Sequence, residues 1–243
     1  MNAVLTSGLT LRRVLAWGAV AGQILVTVAW LVSGMLQTGG YSVAQHDISD
    51  LGALTADQPW VTLIGQGVSG FLTMAFAILT LGPALALGGR RTTVGAWLVA
   101  LSAAGLDDLS DAFFRLDCRA ADPGCTEAAA TASWHGTIHS DVGTVTFVIL
   151  VIAPFVLAPR MQLVPGWHSL ARPTLIYGVL LFAAVMTYVL LSISTQGGYA
   201  QRAVSLLGSA GVIILALRIL GLDRAGPEQV RPNAVLDAPL SPS

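Results

Sequence analysis

Hydrophobic positions along this chain do not form the short periodic stretches of a soluble core. They fall into unalternating runs of roughly twenty residues, with the polar and charged positions gathered between them. A hydrocarbon layer about 30 Å thick is crossed by roughly twenty helical residues rising about 1.5 Å each. The pattern therefore predicts membrane-spanning helices at 14–36, 60–87, 94–114, 135–157, 173–193 and 202–222. Strands of a barrel are excluded, because such runs are too long and do not alternate; lipid leaves helices as the way to satisfy every backbone N–H and C=O. The first run follows Arg12 and Arg13, as a signal peptide would, but its length and the lack of a small-x-small exit predict a retained helix. The expected fold class is all-α, a polytopic bundle of six transmembrane helices forming one domain over 1–222. The tail at 223–243, with Pro227, Pro232, Pro239 and Pro242, is expected to be disordered and cytoplasmic.

Composition agrees with lipid as the solvent: 54% of residues are hydrophobic and 10% charged, against about 25% charged in soluble domains. A net charge of −1 offers no basic surface for nucleic acid. All twelve basic residues are arginine, and their placement carries the orientation. Six crossings put Arg12, Arg13, Arg90, Arg91, Arg160, Arg172, Arg218, Arg224 and Arg231 on one side and Arg115, Arg119 and Arg202 on the other. The richer side is the cytoplasmic one by the positive-inside rule, so both termini are expected in the cytoplasm of a cell-membrane protein. Cys118 and Cys125 then lie outside, around a Pro123-Gly124 turn, where an oxidising compartment favours a small disulfide loop.

Ionisable residues inside the predicted spans cost about 2.5–3.5 kcal/mol each near the bilayer centre unless partnered. Asp107 lies about 20 Å along the third span, which leaves it roughly 10 Å below the outer boundary. Asp141 in the fourth span comes to a similar depth. Gln66, Tyr188 and Ser192 fall in the same half, so a hydrated outer-leaflet pocket is expected. Asp107 and Asp111 share a helix face, as do His135 and His139. Two imidazoles facing carboxylates are a candidate first shell for zinc or another divalent ion: His135, His139, Asp107 and Asp111. The competing arrangement pairs Asp111 with Arg115, four residues on, and lets the histidines cap the fourth helix and bond loop carbonyls.

The run Asp107-Asp108-Leu109-Ser110-Asp111 also reads as Asp-Asp-x-x-Asp, a magnesium–diphosphate pattern. It lacks a second aspartate-rich motif and sits on the side away from cytoplasmic diphosphates, which argues against that chemistry. Between the first two spans, either Ser49 or Asp50 caps a short interfacial helix, or His46, Asp47 and Asp50 form a lid over the pocket and supply an acid or base. His168 has no acidic neighbour in sequence and receives no role.

Three segments in this order, Ile48-Ser49-Asp50-Leu51-Gly52-Ala53, Phe114-Arg115-Leu116-Asp117-Cys118 and His135-Gly136-Thr137-Ile138-His139, resemble the bacterial membrane proteins grouped as domain of unknown function 998. The resemblance spans roughly 14–222 and implies a multi-helix membrane protein with no settled activity. It directs attention to Asp50, Asp117, Gly136 and His139. Asp107, Asp108, Asp111 and His135 depart from the usual pattern.

Together these readings suggest a site in which His139, with Asp117 and Asp50, is the catalytic acid–base or metal-binding group. Its substrate would be lipid-like or another apolar small molecule, as for a hydrolase or cyclase, and His135, Asp107, Asp111 and Asp141 would tune it. The alternatives are a proton- or cation-coupled carrier and a non-catalytic accessory protein. A carrier is disfavoured by the sequence, because six helices are few and neither a broken helix nor an inverted repeat is legible in it.

Overall fold

In a computed structural model, residues 2–88, 92–192 and 195–225 are described. The regular elements among those residues are all helices, with no strand. Five helices are long and apolar enough to cross a membrane. They are α1 (Asn2–Leu36, apolar from Thr10), α2 (Trp60–Leu85), α6 (Trp134–Leu163), α7 (His168–Leu191) and α8 (Gly197–Ala225). A single π turn at Ala77–Leu81 interrupts α2.

The segment expected to form the third span is not a continuous helix. It comprises α3 (Val94–Ala100), a turn at Leu101 and Ser102, a π turn at Ala103–Asp107 and α4 (Asp108–Asp111), and the short α5 (Glu127–Ala130) precedes α6. The break has a local cause. The Ser102 hydroxyl donates to the Val99 carbonyl at 2.8 Å, competing with the backbone ladder. Gly105 sits where a Cβ would lie 2.2 Å from the Ala100 carbonyl oxygen, so only glycine lets the chain fold back so tightly. Gly70 of α2 has the same role from the other side: a Cβ there would meet the Leu109 nitrogen at 2.4 Å.

The helices pack in a ring, α1 on α2, α2 on the broken segment, the broken segment on α6, α6 on α7, α7 on α8 and α8 on α1. The beginning of α1 meets the end of α8, where Arg12 pairs with Asp223 at 3.4 Å and Arg13 donates to the Asp223 carbonyl at 3.1 Å. At this same end Arg160 donates to the Leu85 carbonyl at 2.7 Å and Arg218 to that of Gly166. Asp223 through Ala225 therefore continue α8 and do not begin the tail expected from 223; the remainder of that tail, with Arg90, Arg91 and the end of the fifth predicted span, lies outside the described residues.

The two ends of the ring differ. The arginine-marked end is solid, filled by Phe76, Leu81, Leu85, Met161, Trp167 and Ile219. The other end is hollow, and its wall is continued by a small cluster of Leu150, Leu181, Val185 and Val204. Outside the ring the helices present exposed Leu25, Phe71, Val145, Ile176 and Leu180, an apolar girdle far larger than a soluble monomer tolerates.

Candidate functional site

The hollow end encloses a cavity of about 830 Å³, within the range of small-molecule sites. Its inner wall is acidic. Asp107, Asp108 and Asp111 line it from the broken segment, with Gln66 of α2 and His139 of α6. Three of these groups are locked together. The Gln66 amide donates to Asp111 Oδ2 at 2.8 Å, and His139 Nδ1 lies 2.9 Å from Asp111 Oδ1 and 3.2 Å from the Phe114 carbonyl. Two acceptors converge on one ring nitrogen, so Nδ1 carries a proton.

His139 owes its position to the start of α6. Ser133 caps the helix by accepting from the Gly136 N–H at 3.2 Å. Asp117 in turn accepts from the Ser133 N–H at 2.7 Å, which holds its carboxyl below the usual range. Gly136 is needed there because a Cβ would lie 2.5 Å from the Ala130 carbonyl oxygen. Asp117 thus anchors the helix that carries His139 and is not among the residues lining the cavity.

The segment at 37–59 lies over the opening and is strapped down from three sides. Tyr188 of α7 donates to Asp47 Oδ2 at 2.6 Å, and Gln201 of α8 accepts from the Ile48 N–H at 2.5 Å. Arg202 donates to the carbonyls of Val43 and His46 at 3.0 and 2.8 Å and lies 5.7 Å over the Trp30 ring. Arg115 holds the Gly52 and Ala53 carbonyls at 2.7 and 2.8 Å. Arg119 binds Asp57 and Asp122 at 3.1 and 2.7 Å. Cys118 and Cys125 form the expected disulfide beside them.

Under this strap Asp50 is 4% exposed. Its Oδ1 accepts from the Ala120 N–H at 3.0 Å and its Oδ2 has no partner. Burial pushes its carboxyl up to about 6. The Asp47 carboxyl is raised by burial as well. His46 accepts from the Ser42 N–H through Nδ1 at 2.8 Å, and burial lowers its basicity, so it is the neutral tautomer with a proton on Nε2.

Several expectations need correction. His135 does not join His139: its ring stacks on Trp134 with centroids 3.6 Å apart, and it does not line the cavity. The four residues expected to hold a metal, His135, His139, Asp107 and Asp111, are therefore not assembled. Among the described residues no group of three or more His, Cys, Asp or Glu side chains is arranged to hold one. Asp141 is exposed and outside the cavity. The competing arrangement also fails for Asp111, whose partner is His139 while Arg115 serves backbone carbonyls. The sequence reading missed Gln23 of α1, which lines the cavity and donates to Ser69 and Thr73 at 3.0 and 2.9 Å. A lone amide in an otherwise apolar helix was the signal for it.

A family profile described as "Protein of unknown function (DUF998)" matches residues 20–218. The chain belongs to the DUF998 family. The match runs from α1 to α8 and so includes every residue of the DUF998 cavity named above. The family description carries no activity, and neither characterised proteins nor solved structures give a significant match to this DUF998 chain.

Proposed function

We propose that this is a six-pass cell-membrane protein with both termini in the cytoplasm, whose outward-facing chamber performs acid–base chemistry on a lipid-like or other apolar substrate. His139 Nε2 is the acid–base group, its tautomer fixed by Asp111, and Asp50 is a second proton-exchanging group in the same chamber. Asp117 is a positioning residue.

The observation that carries the substrate class is the composition of the chamber's side wall. Val148 and Ile152 of α6 and Phe182, Met186 and Val189 of α7 line the cavity and are exposed apolar side chains. A molecule with an apolar chain enters sideways between these helices, with its polar end toward His139. The sixth crossing is supplied by the interrupted segment from α3 to α4, which returns the chain so that both described ends meet at Arg12 and Asp223. The disulfide and the arginine excess at the solid end support the orientation.

Incubating the purified protein with a total membrane lipid extract and following all species by mass spectrometry tests the reading. Wild type is expected to convert one species into another, and His139→Ala to leave the extract unchanged while still inserted. Equal conversion by the variant refutes the assignment.

One observation favours a second reading, a cation- or proton-coupled carrier. An interrupted helix lining a cavity is a feature of carrier sites, and this chain has one at Leu101–Ser102. Substrate uptake into vesicles that collapses with the proton gradient would select it.

A further inference from the structure

Within the chamber reading just proposed, and resting on it, the charge of the lining sets the chemistry of the ligand's head. Asp47, Asp50, Asp107, Asp108 and Asp111 all line the cavity, and among the described residues no arginine does. The nearby guanidinium groups are committed elsewhere. Arg115 and Arg202 bond backbone carbonyls, and Arg119 is held by Asp57 and Asp122. Two imidazoles line it among the described residues: His139 is already paired with Asp111, and His46 accepts from the Ser42 N–H.

Asp50 Oδ2 and Asp107 Oδ1 in this lining are buried and accept no hydrogen bond, whereas Asp111 Oδ1 faces His139. Asp50 is 4% exposed, so water does not readily serve it. A buried acceptor without a donor is costly, and a buried carboxylate more so. The group that removes both costs carries positive charge and N–H donors together. A phosphate or sulfate head adds like charge to an acidic wall, and a quaternary ammonium brings charge without a donor.

We propose that the chamber binds an amphiphile with a primary or secondary ammonium head, an N–H of the head donating to Asp50 Oδ2 and its chain lying between α6 and α7. Four single-chain probes of equal length separate the contributions: dodecylammonium, dodecyltrimethylammonium, dodecanol and dodecyl phosphate. Each is titrated calorimetrically against the full-length protein in zwitterionic nanodiscs, with empty nanodiscs as the blank. Dodecylammonium is expected to bind roughly tenfold more tightly than the other three, the discrimination a charge-assisted hydrogen bond provides. Asp50→Asn should remove most of that advantage.

Equal or tighter binding of the alcohol or the phosphate overturns the ammonium head while leaving the amphiphile chamber standing. Equal binding of the trimethyl probe overturns the donor requirement. No binding of any probe above the blank overturns both this inference and the chamber reading. If the asparagine variant fails to fold, the wild-type series still decides between these outcomes.

Discussion

Asp50 offers the most quantitative test of the hollow half of the bundle. Its carboxyl is held at about 6, against the ordinary 3.8, because burial under the strap outweighs the single hydrogen bond from Ala120. At about 1.36 kcal/mol per pH unit this is a preference of ~3 kcal/mol for the protonated form in the folded chain. The folded protein holds this proton more tightly than the unfolded one. The stabilising contribution is therefore full below pH 3.8 and is lost as pH rises through about 6. Asp50→Asn keeps a carbonyl oxygen for Ala120 and removes the titration. The assay is thermal unfolding in an uncharged detergent, recorded for wild type and variant between pH 4 and pH 8. Wild type should lose several degrees of Tm relative to the variant across that window, at roughly 2–4 °C per kcal/mol for a chain of this size. Taking the difference between the two proteins cancels other groups, including Asp57, Asp117 and Asp122, whose lowered carboxyl values act in the opposite sense. A difference that stays flat with pH would refute the claim that Asp50 is shut away from water.

Further outcomes follow from the same geometry. Replacing both Cys118 and Cys125 by serine should cost roughly 2.5 kcal/mol of stability for so short a closed loop, seen as a lower Tm; alkylation mass shifts that need no reductant in the native protein would contradict the disulfide. Gly70→Ala forces a Cβ to 2.4 Å from the Leu109 nitrogen, and overpacking of this kind typically costs about 1–3 kcal/mol; an unchanged Tm would argue against the close approach of α2 to the broken segment. Gln23→Leu strands the Ser69 and Thr73 hydroxyls at roughly 1–3 kcal/mol, and a Gln23→Leu protein as stable as wild type would dissolve that network.

The five long helices were legible because length and hydropathy alone specify them. The interruption of the third span was not, because Ser102-Ala103-Ala104-Gly105 has the hydropathy of a helix. What breaks it is a hydroxyl that finds the Val99 carbonyl and a glycine pressed on the Ala100 carbonyl, contacts that exist only in three dimensions. The pairing of helix-three acids with His139 was legible from depth, since spans running in opposite directions bring Asp111 and His139 to one level. Depth does not fix direction around the axis. Asp141 is two residues beyond His139, about 200° around an ideal helix, and accordingly faces outward. His135 lies nearly on the same face as His139, yet it sits in the first turn beside Trp134 and stacks there. Its loss from the cluster depends on an aromatic neighbour that spacing rules do not weigh.

Labelling of single cysteines in intact cells tests the central claim most directly. In a chain with Cys118 and Cys125 replaced by serine, Ser140→Cys places a thiol on the cavity lining beside His139, and Arg172→Cys places one at the opposite, solid end. A membrane-impermeant maleimide added outside should modify the first in intact cells and the second only after permeabilisation. The reverse pattern, or no labelling of Ser140→Cys under either condition, would contradict an acid–base chamber that opens to the outer face.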